Sequence, residues 1–398
     1  MTRHQSREGR PEAHNRPDTT PGTSVPGDPA PVPRDAAGTI AGGPPQGRRP
    51  EPRLAGRKVV LAVLGLTVVV VAILSSYISA LGKPAPHQIP VAVTAPPAVL
   101  RELDASPQLR VYSAPDLAKA RALVEDRAAY GAIALPGTGP ATLLVASGGG
   151  HAVETTLVQL GQQLAHTHAA TLTTIDLAPT SPSDPDGTVE FYCIVFLFLG
   201  GSIGATVLGS LAGPVRGLRG GLARLGMVLG YAAWLSVVVT FFADTVFGGL
   251  VGHFGLLFLT LWLFTGAVCL AVTGLFALLG RGPILLILVL VALGNPSSGG
   301  PVPRPLLNGF YAALNPVLPQ GAALSALRGV QYFGDRGIDL GLLCLLIWAL
   351  AGLVLLAAAV LRDVLSNHAV RAVHTGTQLR TPARTRERST CRERSTQP

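Results

Sequence analysis

The stretch with the most unusual backbone chemistry is Asn295, Pro296, Ser297, Ser298, Gly299, Gly300 and Pro301. It follows directly on an apolar run, Pro283–Gly294, that is too short to cross a membrane. At about 1.5 Å per residue that run makes roughly 18 Å of helix, against a hydrocarbon core of about 30 Å. Two prolines remove N–H donors and so free carbonyls one helical turn upstream. Two serines offer hydroxyls that can satisfy freed backbone groups, and two glycines give the chain freedom to turn. A chain that leaves helix at membrane depth must bury its polar backbone in protein or line a wet cavity. The spacing therefore predicts a re-entrant turn leading into two short amphipathic helices, "PLLNGFYAAL" and "QGAALSALRGVQYF", the second carrying Arg328. The competing expectation is a plain loop at the end of a kinked span.

Other constellations point to less. Asp244 and His253 flank one loop and could relay a proton, but both fall at span ends, where water reaches. No Asp, Glu, Lys or Arg falls near the middle of an apolar run, so ion-coupled transport has no residue to work with. His151, His166 and His168 are not spaced to meet on one helix face. Cys193, Cys269, Cys344 and Cys391 fit neither a zinc site nor a disulfide framework, so no metal is expected. "GxSxG" is absent, and none of the only lysines, Lys58, Lys83 and Lys119, completes a phosphate-binding loop. The expectation is a chain that is not an enzyme and holds no cofactor. No basic run is interleaved with aromatics, which argues against a nucleic-acid partner.

Mean hydropathy is +0.43 with only 13% charged residues, the composition of an integral membrane protein. Residues 1–57 are rich in Pro, Gly and Arg and read as a disordered cytoplasmic tail. Residues 58–81 form a first span. Residues 82–190 form a small α/β domain, read as βαβαββα, and a linker, "PTSPSDPDG". Residues 191–362 hold five further membrane segments, one of them short, with the re-entrant region at 295–337. Residues 363–398 are a basic tail in which "RERST" occurs twice. The fold class expected is thus a helical membrane bundle of six segments with an α/β domain between spans one and two.

Lysine and arginine favour the cytoplasmic side. With the N-terminus inside, the inner elements hold 22 of the 31 Lys and Arg, including Arg216, Arg219, Arg224 and Arg281. Both termini are therefore expected in the cytoplasm and the acidic α/β domain outside. Within the second span, Gly201, Ala205, Gly209 and Gly213 recur every four residues. Gly226 and Gly230 repeat the theme in the third. Such a stripe lets a second helix come close, either within the chain or across a homodimer or heterodimer.

The pattern resembles ABC-2-type permeases of the phage-infection-protein kind, and its layout is similar to the fungal nitrosoguanidine-resistance membrane proteins. The likeness rests on Ser297, Ser298, Gly299, Gly300, Pro301, Leu318, Pro319 and Arg328, on "YGAIALP" in the external domain, and on the six-segment layout over about residues 58–362. It implies a permease subunit of an exporter powered by a separate ATPase. The chain departs from that family in two places. "RRPEPRLAGRK" is too short and Pro-rich for an elbow helix, and the inner loop "GPVRGLRGGLAR" is brief. The alternative is a non-transporting envelope protein whose external domain binds a partner or a cell-wall component.

Overall fold

The structure is a computed structural model that describes residues 52–136, 139–280 and 283–378. Most of the predicted disordered tail, the turn at Arg281, Cys391 and both "RERST" repeats lie outside the described residues. From Val60 onward the chain is one compact unit.

The first helix, α1 (Pro52–Leu81), is apolar from Val59, and its most apolar stretch is left uncovered by the other described residues, while Ala80 near its end joins the core of the sheet domain. It leads into a five-stranded sheet. The elements run β1 (Ile89–Thr94), α2 (Pro97–Asp104), β2 (Leu109–Ser113), α3 (Leu117–Glu125), β3 (Gly131–Ala134), β4 (Ala141–Val145), α4 (His151–Thr167) and β5 (Leu172–Asp176). The strand order is β2-β1-β3-β4-β5, with β3 and β4 antiparallel and the other pairs parallel. Alternation along β1 sends Ile89, Val91 and Val93 to the face covered by α2 and α4, and Ala92 to the other. The small Ala92 and Ala132 let Ala120 and Val124 of α3 come close.

Sequence periodicity finds every helix of this domain and four of its five strands. It carries α4 on to Leu172, where the structure ends the helix at Thr167 and adds β5. The break is at Ala169, which sits in the left-handed backbone region (φ 47°) that glycine normally fills. Alanine gives no warning of such a turn.

Among the described residues four more helices are long and apolar enough to cross a membrane, making five with α1. They are α5 (Val189–Leu211), α6 (Gly217–Phe241, extended by a π turn through Val246), α7 (Phe254–Leu279) and α11 (Asp339–Gln378). Between α7 and α11 lie a short apolar helix, α8 (Pro283–Ser297), and two short helices, α9 (Gly309–Leu314) and α10 (Pro319–Tyr332).

Helix α7 is the most buried of the long helices and packs against α5, α6, α10 and α11. It crosses α11 at Gly274 and Gly352, where a methyl group on Gly352 would lie 2.4 Å from the Ala271 nitrogen. Gly201 meets Thr265 and Cys269 of α7, Ala205 is buried in the same core, and the Cys269 thiol donates to the Gly201 carbonyl at 3.4 Å. That half of the small-residue stripe is filled within the chain. Gly209 faces Arg224 of α6, whose guanidinium donates to the carbonyl of Gly213. Gly226 and Gly230 have open space beside them.

Candidate functional site: the turn after α8 and the cavity beside it

Proline at position 296 leaves the carbonyl of Ala292, its partner one turn back, without its helical donor. The Ser76 hydroxyl of α1 donates to that carbonyl instead, and the Tyr311 hydroxyl of α9 in turn donates to the Ser76 carbonyl at 3.0 Å. Ser297 and Ser298 serve the carbonyls at the helix end, donating to Gly294 at 3.2 Å and Asn295 at 2.7 Å. The expectation that these serines answer the proline-freed groups is thus half met: they bond locally, and a side chain from α1 answers Pro296.

The four carbonyls from Ser297 to Gly300 have left the helix and need outside donors. Asn315, just after α9, gives its amide to Ser297 at 2.8 Å and Ser298 at 2.9 Å. Arg328 of α10 gives its guanidinium to Gly299 at 3.1 Å and Gly300 at 3.3 Å, and also to Gly187 at 3.3 Å, two residues before α5. Arg328 is only 6% exposed, so these bonds are made away from water. Gly299 has φ 86°, and a methyl group on Gly300 would lie 2.4 Å from the Phe191 ring. Only glycine fits either place. Asn295, Pro296, Ser297 and Ser298 are buried with them, while Pro301 is exposed. Residues 295–300, with Arg328 some thirty residues on, therefore form one buried unit tied together by hydrogen bonds, and Pro301 lies outside it.

Helix α10 holds that unit in place. It is buried along most of its length among α5, α7, α8 and α11. Gln320 lies against Gly294 and donates to the Leu290 carbonyl at 3.2 Å. At its far end Tyr332 covers Gly148 of the sheet domain.

A cavity of about 400 Å³ opens between this unit and the sheet domain. Ser298, Gly299 and Asn315 line it, together with Arg127, Arg304 and Arg328. Arg127 follows α3 in the left-handed region (φ 60°), the position where helices prefer glycine. Its guanidinium reaches the Ser325 carbonyl at 2.9 Å, the Ser325 hydroxyl at 3.1 Å and the Gly337 carbonyl at 3.2 Å, and lies 5.2 Å over the Phe333 ring. Burial pulls the Arg127 guanidinium below its ordinary range; the Arg328 charge adds to this, and Tyr130 opposes it. Burial raises the Tyr130 phenol, and the charges of Arg127, Arg328 and Arg304 pull it back.

One charged residue was missed from sequence. Glu190, in the first turn of α5, is 0% exposed, and neither carboxylate oxygen has a hydrogen-bond partner among the described residues. Screening spans for charge at their middles passes over an acid at the first turn. "TVEFYC", an acid entering a wholly apolar helix, was the available signal.

Asp244 accepts from the Thr245 hydroxyl at 3.2 Å and shares no hydrogen bond or ion pair with His253 among the described residues, and His151 pairs with Glu154 at 3.0 Å on the α4 surface. No group of three or more His, Cys, Asp or Glu that could hold a metal occurs among the described residues. No family model, no curated protein and no solved structure matches the chain.

Proposed function

We propose that this chain is the permease subunit of an ABC-2-type exporter, with both termini in the cytoplasm, the sheet domain outside, and ATP hydrolysis supplied by a separate protein. The observation that carries the reading is α10. It is a short amphipathic helix buried among four apolar helices at the end of the bundle where the sheet sits. The sequence resemblance assigns that place to the re-entrant hairpin. In this reading α8–α10 close the outer end of a pathway between α5, α7 and α11. Five long apolar helices and the short α8 agree with six membrane segments.

The inner end is compact. Only five residues, 212–216, join α5 to α6, and the Gly217 amide donates to the Asp363 carboxylate of α11 at 2.9 Å. An ATPase would dock on this loop together with the inner extension of α11. A second permease chain belongs to the same proposal, and it would join through a surface other than Gly201 and Ala205.

The test is purification of the full chain from its native membrane after mild crosslinking. A co-purifying ATP-binding subunit whose hydrolysis falls when Arg216 and Arg219 are changed to Glu is the expected result. A chain that purifies without any ATPase, while crosslinking captures a cell-wall component on the sheet domain, would replace this reading with that of a non-transporting envelope protein.

A further inference from the structure

We propose that the cavity between the sheet domain and the α8–α10 unit is a binding site for a phosphate-bearing anion, held by Arg127, Arg304 and Arg328. The site stands independently of the exporter reading, because binding does not require transport.

Charge is the first observation. Arg127, Arg304 and Arg328 line one cavity of about 400 Å³, and none of them has a carboxylate within ion-pair distance among the described residues. Asp126 also lines the cavity, but it is turned to Arg336 at 3.8 Å. Glu190, the buried acid on α5, is not among the residues that line it. Like charges gathered at a partly dehydrated site repel, and a bound anion removes that cost.

Donor supply is the second observation. Arg304 uses only its Nε, which donates to the Ala312 carbonyl at 3.2 Å, so both Nη groups are without partners among the described residues. Arg127 and Arg328 are fixed in place by bonds to backbone carbonyls. Two positioned cations and one with a free fork suit a tetrahedral oxyanion, because guanidinium matches phosphate in paired N–H to oxygen bonds. Leu324 and Phe333 contribute an apolar wall, and Leu340, at the start of α11, is 79% exposed beside it. The ligand chemistry is therefore a phosphate ester with an apolar portion, either an anionic lipid headgroup entering sideways or a soluble phosphate ester.

The test uses the full chain purified in a neutral detergent, with melting followed by tryptophan fluorescence. The probes are inorganic phosphate, potassium chloride at matched ionic strength, and mixed micelles with phosphatidylglycerol or phosphatidylcholine. Phosphate or phosphatidylglycerol should raise the melting midpoint saturably, with chloride and phosphatidylcholine inert. Arg304→Gln, at an exposed position, should keep the ligand-free midpoint and raise half-saturation about tenfold, the loss of one charge-assisted contact. Arg304→Lys should recover part of that loss. A response to phosphatidylglycerol alone identifies a lipid headgroup as the source, and a response to phosphate alone a soluble ester. The proposal is overturned if neither probe exceeds its control, or if wild type and Arg304→Gln respond alike.

Discussion

Arg328 does the work of several donors at once, holding three backbone carbonyls from two separate segments in a buried place. Changing it to Leu leaves those carbonyls without donors, and each buried unsatisfied group costs about 1–3 kcal/mol. Arg328→Leu should therefore lose folded protein, read as detergent-resistant yield and melting midpoint. Arg328→Lys should fall between, since an ammonium keeps the charge but not the planar fork. A leucine variant as stable as wild type would show that the carbonyls find other donors. The turn residues were legible from sequence because proline and glycine limit the backbone in stated ways. Asn315 and Ser76 were not: each acts across a gap in sequence that only the fold closes, and nothing in their local spacing marks them.

At the scale of elements, small residues decide where helices meet. Gly201 of α5 is filled by α7, and Gly300 by Phe191. Gly201→Leu and Gly300→Val should each cost about 1–3 kcal/mol or more by overpacking, seen as reduced yield and early melting. If Gly201→Leu melts normally but alters crosslinking between copies, the stripe faces another chain instead. The apolar runs announced all six hydrophobic helices, because length and hydropathy are local properties. The α7–α11 crossing at Gly274 and Gly352 was not announced, since the two glycines lie on different helices and neither repeats at four-residue spacing. The strand β5 was hidden for another reason. Most of its residues are exposed at a sheet edge, so no alternating burial shaped its sequence.

For the whole molecule, the arrangement of Lys and Arg predicts which side each part occupies. In a background without native cysteines, Ser113→Cys on exposed β2 should react with an impermeant maleimide from outside, and Ser389→Cys in the tail beyond the described residues should not. The opposite pattern would invert the chain in the membrane. The core of the sheet domain is shared with a distant segment: Val302, Leu306, Leu307 and Tyr311 belong to the same apolar cluster as Val91 and Leu157. Those four residues are made long after the last strand. At a synthesis rate of about 5–20 residues per second, the roughly 125 residues between β5 and Val302 take about 6–25 seconds. During that interval the sheet has left the ribosome with one apolar flank uncovered. The order of the codons thus builds a waiting period into biogenesis, in which this flank stays bare until the segment around Val302 is made.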